Sequence, residues 1–80
     1  MTLTWTKEDE ETWVAEYENY SARIYKWGRR SYRWMVFFEG KLLEQDNQFT
    51  PKTAKDRARY QIEKHIDRKA VDKIINALIQ

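Results

Sequence analysis

Apolar and polar positions recur with two different periods along this chain, and the period changes once, at Thr50-Pro51. Upstream the period is two, the signature of strands. The densest stretch is Tyr32 to Phe38, followed by Glu39-Gly40-Lys41 and a second run from Leu42 to Asp46. Aromatic and β-branched residues on both sides of a glycine turn predict a hairpin. Alternation sets Trp34, Val36 and Phe38 against Arg33, Met35 and Phe37, and with both faces apolar this strand is expected to be central and at least partly covered on both sides. Leu42 to Asp46 turns polar toward its end, as an edge strand does.

The same alternation runs back toward the N-terminus. Tyr20 to Trp27 sets Ala22 and Ile24 against Arg23, Tyr25 and Trp27, and Gly28-Arg29-Arg30-Ser31 closes it onto Tyr32. Thr12 to Tyr17 sets Trp13, Ala15 and Tyr17 against Val14 and Glu16, with Glu18-Asn19 as a tight turn. Leu3 to Thr6 fits a short strand, with the acidic run Lys7 to Glu11 as its solvated turn. A helix starting at Thr6 is the alternative, because Thr6 with Asp9 or Glu10 resembles a capping arrangement.

From Thr50 the period becomes helical. Threonine is a preferred N-cap and proline is preorganised for the first helical position. On a wheel of ~100° per residue, Ala54, Ala58, Ile62 and Ile66 fall at about 0, 40, 80 and 120°. Val71, Ile74, Ile75 and Leu78 fall at about 260, 200, 300 and 240°, nearly opposite. One straight helix cannot bury both stripes against one sheet. The pattern therefore predicts a break near Asp67 to Lys69, with a helix over about 51–66 and a short second helix over about 70–79.

Composition narrows this picture. Eighty residues make one domain, 1–80, near the lower limit for a core without staples, and there is no cysteine to supply a disulfide or a thiolate metal site. Packing must do the work, and twelve aromatics, four of them tryptophan, supply it. No apolar run approaches the ~20 residues of a membrane span and no signal-peptide pattern is present, so a cytoplasmic protein without membrane contact is expected. The net charge of +2 hides a polarised chain: residues 1–20 carry −5, 21–41 carry +5, 42–49 carry −2 and 50–80 carry +4. Such segregation either offers a basic region to phosphate or neutralises itself across adjacent strands.

The main candidate for function follows from combining charge with alternation. Arg23, Tyr25, Trp27, Arg33, Met35 and Phe37 share one face, with Lys26, Arg29 and Arg30 at the adjoining turn. Nucleic acid needs cations for phosphates and flat groups on which bases or sugars stack, and this set supplies both. The competing expectation is that the apolar C-terminal segment folds over Tyr25, Met35 and Phe37, leaving only the Arg29-Arg30 tip exposed. That segment has a second reading, in which Val71, Ile74, Ile75 and Leu78 form a dimer seam or a partner-binding element.

No catalytic, metal or cofactor motif emerges. His65, the only histidine, falls at about 20° inside the apolar stripe of the first helix. It reads as a boundary-core or C-cap residue, with no nucleophile or orienting acid marked beside it. The pairs Glu44 with Asp46 and Glu63 with Asp67 read as solubilising acids, and Gly28 and Gly40 as turn residues. A non-enzymatic chain is expected.

The portion from Ala22 to Ile66 resembles the three-stranded-sheet-plus-helix DNA-binding domains found at the N-termini of tyrosine recombinases (the arm-type domains) and in plant ethylene-response factors. Tyr32-x-Trp34-x-Val36, Gly40-Lys41, and Phe49-Thr50 leading to Ala54 and Ala58 carry the likeness. In those domains the sheet lies in the major groove, so the resemblance implies contacts from Arg23, Tyr25, Arg29, Arg30 and Arg33. The acidic, Trp-containing N-terminal extension and the extra apolar helix depart from that pattern. The whole chain also looks like small phage and prophage proteins, which include stoichiometric inhibitors such as anti-CRISPR proteins. The expectations are thus an α+β fold, an antiparallel β-meander of four or five strands followed by one packed helix and a short C-terminal helix. Its function is expected to be DNA binding through the basic, aromatic face. The alternative is a phage-type inhibitor or adaptor that contacts a nucleic-acid-handling protein, as a monomer or as a homodimer through the C-terminal helix.

Overall fold

A computed structural model describes residues 2–79. Five antiparallel strands form one meander in sequence order, β1 Trp5–Asp9, β2 Thr12–Tyr17, β3 Tyr20–Gly28, β4 Ser31–Phe38 and β5 Lys41–Gln48. A single helix, α1, follows over Pro51–Ile79. The α+β class and the meander are as the periodicity predicts. Short turns join all neighbours, so consecutive strands pair and no crossover is needed.

Register is what builds the core. Trp13, Ile24 and Trp34 lie in one cross-strand row, and Ala15, Ala22 and Val36 in the next. Both rows face α1, and Ala22, Ile24, Trp34, Val36, Ala54, Ala58 and Ile62 form a buried cluster with Tyr20. Ile24, Val36, Ala54 and Ala58 are each 0% exposed. Alanines on the helix let its backbone approach the sheet closely, so the large side chains of the strands fill the layer between them. Trp5, Trp13, Tyr32, Phe38, Leu43 and Ile66 pack around this centre. Leu43 arrives through a bulge opposite Val36 and Phe37. The extra residue lets adjacent leucines serve both faces, Leu43 toward the core and Leu42 beside Phe37 on the other side.

The helix starts as its sequence dictates. The Thr53 amide donates to Thr50 Oγ1 at 3.1 Å and the Thr50 amide donates to Thr53 Oγ1 at 3.3 Å. This is a reciprocal cap with threonine in the place usually taken by Glu or Gln.

Three expectations are corrected. First, β1 begins at Trp5 and takes in Lys7 to Asp9, so neither a strand over Leu3 to Thr6 nor a helix from Thr6 describes this region. The turn is Glu10-Glu11, closed by the Glu11 amide donating to Asp9 Oδ1 at 2.8 Å. That hydrogen bond, with one from the Thr12 side chain, holds the Asp9 carboxyl below its ordinary pKa. Charged side chains suit this strand because it is an edge.

Second, there is no break near Asp67 to Lys69 and no separate short C-terminal helix. Nothing in the 28 residues after Pro51 is Gly or Pro, and the helix runs straight through. At ~1.5 Å per residue its 29 residues span about 43 Å, well beyond the sheet, and the molecule measures 52 × 20 × 19 Å. Every residue from Asp67 to Leu78 is exposed. The two stripes need no kink because only the first has a partner within the chain. Third, the distal helix does not fold back over Tyr25, Met35 and Phe37. β4 is therefore covered on one face, not two.

Candidate nucleic-acid interface

The uncovered face of the sheet is built by the same alternation that builds the core. Val14, Arg23 and Met35 form its central row, and Tyr25, Arg33 and Asn47 the next. Ser21, Phe37 and Leu42 form the row at the opposite end. Val14, Tyr25, Arg33, Met35 and Phe37 are half-buried by neighbours on their own face, whereas Trp27 is 53% exposed.

Trp27 is displaced by an irregularity between Lys26 and Gly28, where β3 loses strict register with β4. Its ring lies edge-on to Tyr25, with centroids 6.0 Å apart. The Arg33 guanidinium lies over it, with Cζ 3.9 Å from the ring centroid. The Arg33 Nε also donates to Asn47 Oδ1 at 3.0 Å. This stack holds a planar cation flat on the sheet, the arrangement in which arginine keeps donors available at its edge.

Arg23 stands apart from that group. Its Nη2 donates to Glu8 Oε2 at 2.7 Å, and both side chains are about half exposed. An exposed pair of this kind contributes little to stability and exchanges readily for another anion. Arg29 and Arg30 form the two-residue turn between Gly28 and Ser31 and are exposed. Lys26 does not join the face. It lies in the row of Tyr32 and Gln48, on the helix side, and its Nζ is 3.6 Å from Glu11 Oε1. Of the residues grouped from sequence, Arg23, Tyr25, Trp27 and Arg33 share one face, Arg29 and Arg30 extend its end, and Lys26 points away.

Two features of this region escape a sequence reading. Glu8 and Glu16 share the open face with the arginines, because β1 and β2 continue the same sheet. A second basic cluster, Lys7 and Lys55, converges on the Trp13 ring at 5.7 and 5.4 Å, on the helix side. Lysine-to-aromatic contacts across two elements carry no periodic signal that would reveal them.

His65 sits at the other end of the molecule and belongs to the core boundary. Its Nδ1 is 2.7 Å from the Tyr20 hydroxyl, and its ring packs on Phe38 with centroids 5.0 Å apart. It is not a helix cap, since α1 continues for about four more turns. Burial pushes the Tyr20 hydroxyl up from its ordinary pKa, helped by the carboxylates of Glu18 and Glu39. Among the described residues no group of three His, Cys, Asp or Glu is placed to hold a metal ion. No helix among them is long and apolar enough to cross a membrane. Comparison of the chain with protein-family models, with curated proteins and with solved structures finds no match.

Proposed function

We propose that this chain is a small, non-enzymatic module that binds DNA on the open face of its sheet, with the Arg29-Arg30 turn as leading edge. The observation that carries the reading is that α1 covers only one face. The other retains Tyr25 edge-on to Trp27, with Arg33 over the Trp27 ring and two exposed arginines beyond it. A two-layer sheet exposing cations and rings at one end has the parts that a major-groove sheet reader requires. Arg23 joins them when phosphate replaces Glu8, and Lys26 takes no part.

Fluorescence titration with a generic duplex at rising salt tests this, because Trp27 lies in the proposed interface. Binding should weaken steeply with salt, and Arg29→Ala with Arg30→Ala should reduce the log–log slope by about two. Salt-independent binding, or a slope untouched by the double substitution, overturns it.

A second reading is favoured by Glu8 and Glu16 on the same face, beside half-buried Met35 and Phe37 and an exposed Leu42. Acids discourage phosphate and apolar side chains suit a protein surface. Under it the chain is a phage-type stoichiometric inhibitor or adaptor acting on a nucleic-acid-handling protein. Capture of one defined partner that survives nuclease, and is lost in Phe37→Asp, supports it.

A further inference from the structure

The distal half of α1 exposes an apolar stripe. Val71, Ile74, Ile75 and Leu78 are 53, 60, 46 and 80% exposed. Their spacing of three, four and seven residues puts them on one face, and Ala70 and Ala77 widen it. We infer that this stripe is the seam of an antiparallel homodimer, in which a second copy of the same three turns lies across it about a two-fold axis near Ile74 and Ile75.

Three observations select a second copy in this orientation. The stripe carries no charge from Ala70 to Leu78, and the flanking Asp67, Arg68, Lys69, Asp72 and Lys73 leave the segment close to neutral, so two copies do not repel. The orientation follows from what precedes it on the same wheel face, Lys64 and Asp67. A parallel pair stacks each against its own copy, like charge on like. An antiparallel pair faces Val71 with Leu78 and Ile74 with Ile75, and stacks neither charge on its own copy. Finally, the two seams together bury on the order of 800 Å², below a standard stable interface and in the range of weak, reversible ones.

The association is therefore weak and concentration-dependent. Sedimentation of the full chain, without nucleic acid, from about 1 to about 200 µM tests it. The mass should rise from 9.8 kDa toward twice that value. Ile74→Glu with Leu78→Glu should abolish the rise, and Lys73→Gln, on the opposite face, should not. Where the double variant alters tryptophan fluorescence, Leu78→Ala alone is read instead and should weaken association about tenfold. Because the chain lacks cysteine, single substitutions report orientation: Ile75→Cys should cross-link across the axis under mild oxidation and Leu78→Cys should not. A constant 9.8 kDa, a dimer indifferent to the seam variants, or self-linking at Leu78→Cys overturns the inference. The measurement is independent of what the sheet binds, so it stands or falls apart from the DNA reading.

Discussion

The two halves of α1 differ in composition and have opposite circumstances. From Pro51 to Ile66 the helix has few apolar residues and buries Ala54, Ala58 and Ile62 to no more than 1% exposure. Beyond Asp67 it exposes Val71, Ile74, Ile75 and Leu78. The difference lies in what faces each half, because the sheet ends where Ile66 packs against Phe38 and Tyr20. Amphipathicity identifies the side of a helix that wants cover, and only the surrounding fold decides whether the same chain provides it.

The largest expected effect that could break this comparison is a paired truncation. Ile62→Ala should destabilise the domain by about 3 kcal/mol, the cost of a cavity in a core with no room to collapse. Ile74→Ala, the same chemistry three turns later, should change monomer stability by less than about 0.5 kcal/mol. Denaturant unfolding followed by tryptophan fluorescence at low protein concentration reads both. Similar losses at the two sites would mean that the distal half is packed on the body of the molecule.

Asp72→Pro sharpens the same contrast. Proline there removes the hydrogen bond to the Arg68 carbonyl and should cost the local helix ~3 kcal/mol. Ellipticity at 222 nm should fall by roughly the last two turns, while the unfolding midpoint of the sheet stays put. A fall in that midpoint would show that the helix is one cooperative unit with the core.

The legible part of this fold is the part in which side chains alone carry the pattern. β2, β3 and β4 are bounded within a residue or so by alternation, and the helix stripe Ala54, Ala58, Ile62 and Ile66 falls in one cluster with Trp13, Ala22, Ile24, Trp34 and Val36, residues that alternation sets on single strand faces. β1 is less legible because Lys7, Glu8 and Asp9 belong to the sheet through backbone pairing with β2, which charge does not announce. The bulge at Leu43 is equally silent. The shift of apolar phase near Asp67 reads as a kink only if every stripe must find cover inside the chain. In the candidate interface, strict alternation finds Arg23, Tyr25 and Arg33, and it also sends Lys26 to the helix side with Ile24. Grouping Lys26 with the face follows charge and neglects parity. The Glu8 to Arg23 pair spans from β1 to β3 across β2 and needs the register to be seen.

A smaller effect lies at the boundary between the two halves, where Tyr20 meets His65. Tyr20→Phe removes one buried hydrogen bond and should cost about 1 kcal/mol. It should also change the alkaline limb of the stability profile. A tyrosine whose folded pKa is raised binds its proton more tightly in the native state, so its contribution is complete below the ordinary value of 10.0 and is lost as pH rises through the raised one. Stability measured from pH 9 to 11.5 should therefore fall less steeply in the variant. An unchanged alkaline limb would mean that the hydroxyl is effectively solvated.

The smallest expected change is a gain, at the turn beside this same boundary. Glu39 and Gly40 have φ of 51° and 81°, the pair of left-handed residues that defines a type I′ hairpin turn. Glycine takes that conformation freely, but glutamate pays for it in contact between Cβ and the following carbonyl, and asparagine tolerates it far better. The turn is fixed in place because the Glu39 amide donates to the Asn19 carbonyl at 2.9 Å, joining two hairpin ends, so the strain cannot relax by sliding. Glu39→Asn keeps that donor, and it should stabilise the domain by about 0.5 kcal/mol in denaturant unfolding. It also takes a carboxylate away from Tyr20, which should bring the tyrosine's raised pKa back toward its ordinary value and so shrink the alkaline loss of stability. The two effects separate by pH. A gain at neutrality that widens as pH rises above 10.0 assigns both the strain and the charge to Glu39, whereas a gain that is uniform up to pH 11 leaves only the backbone term.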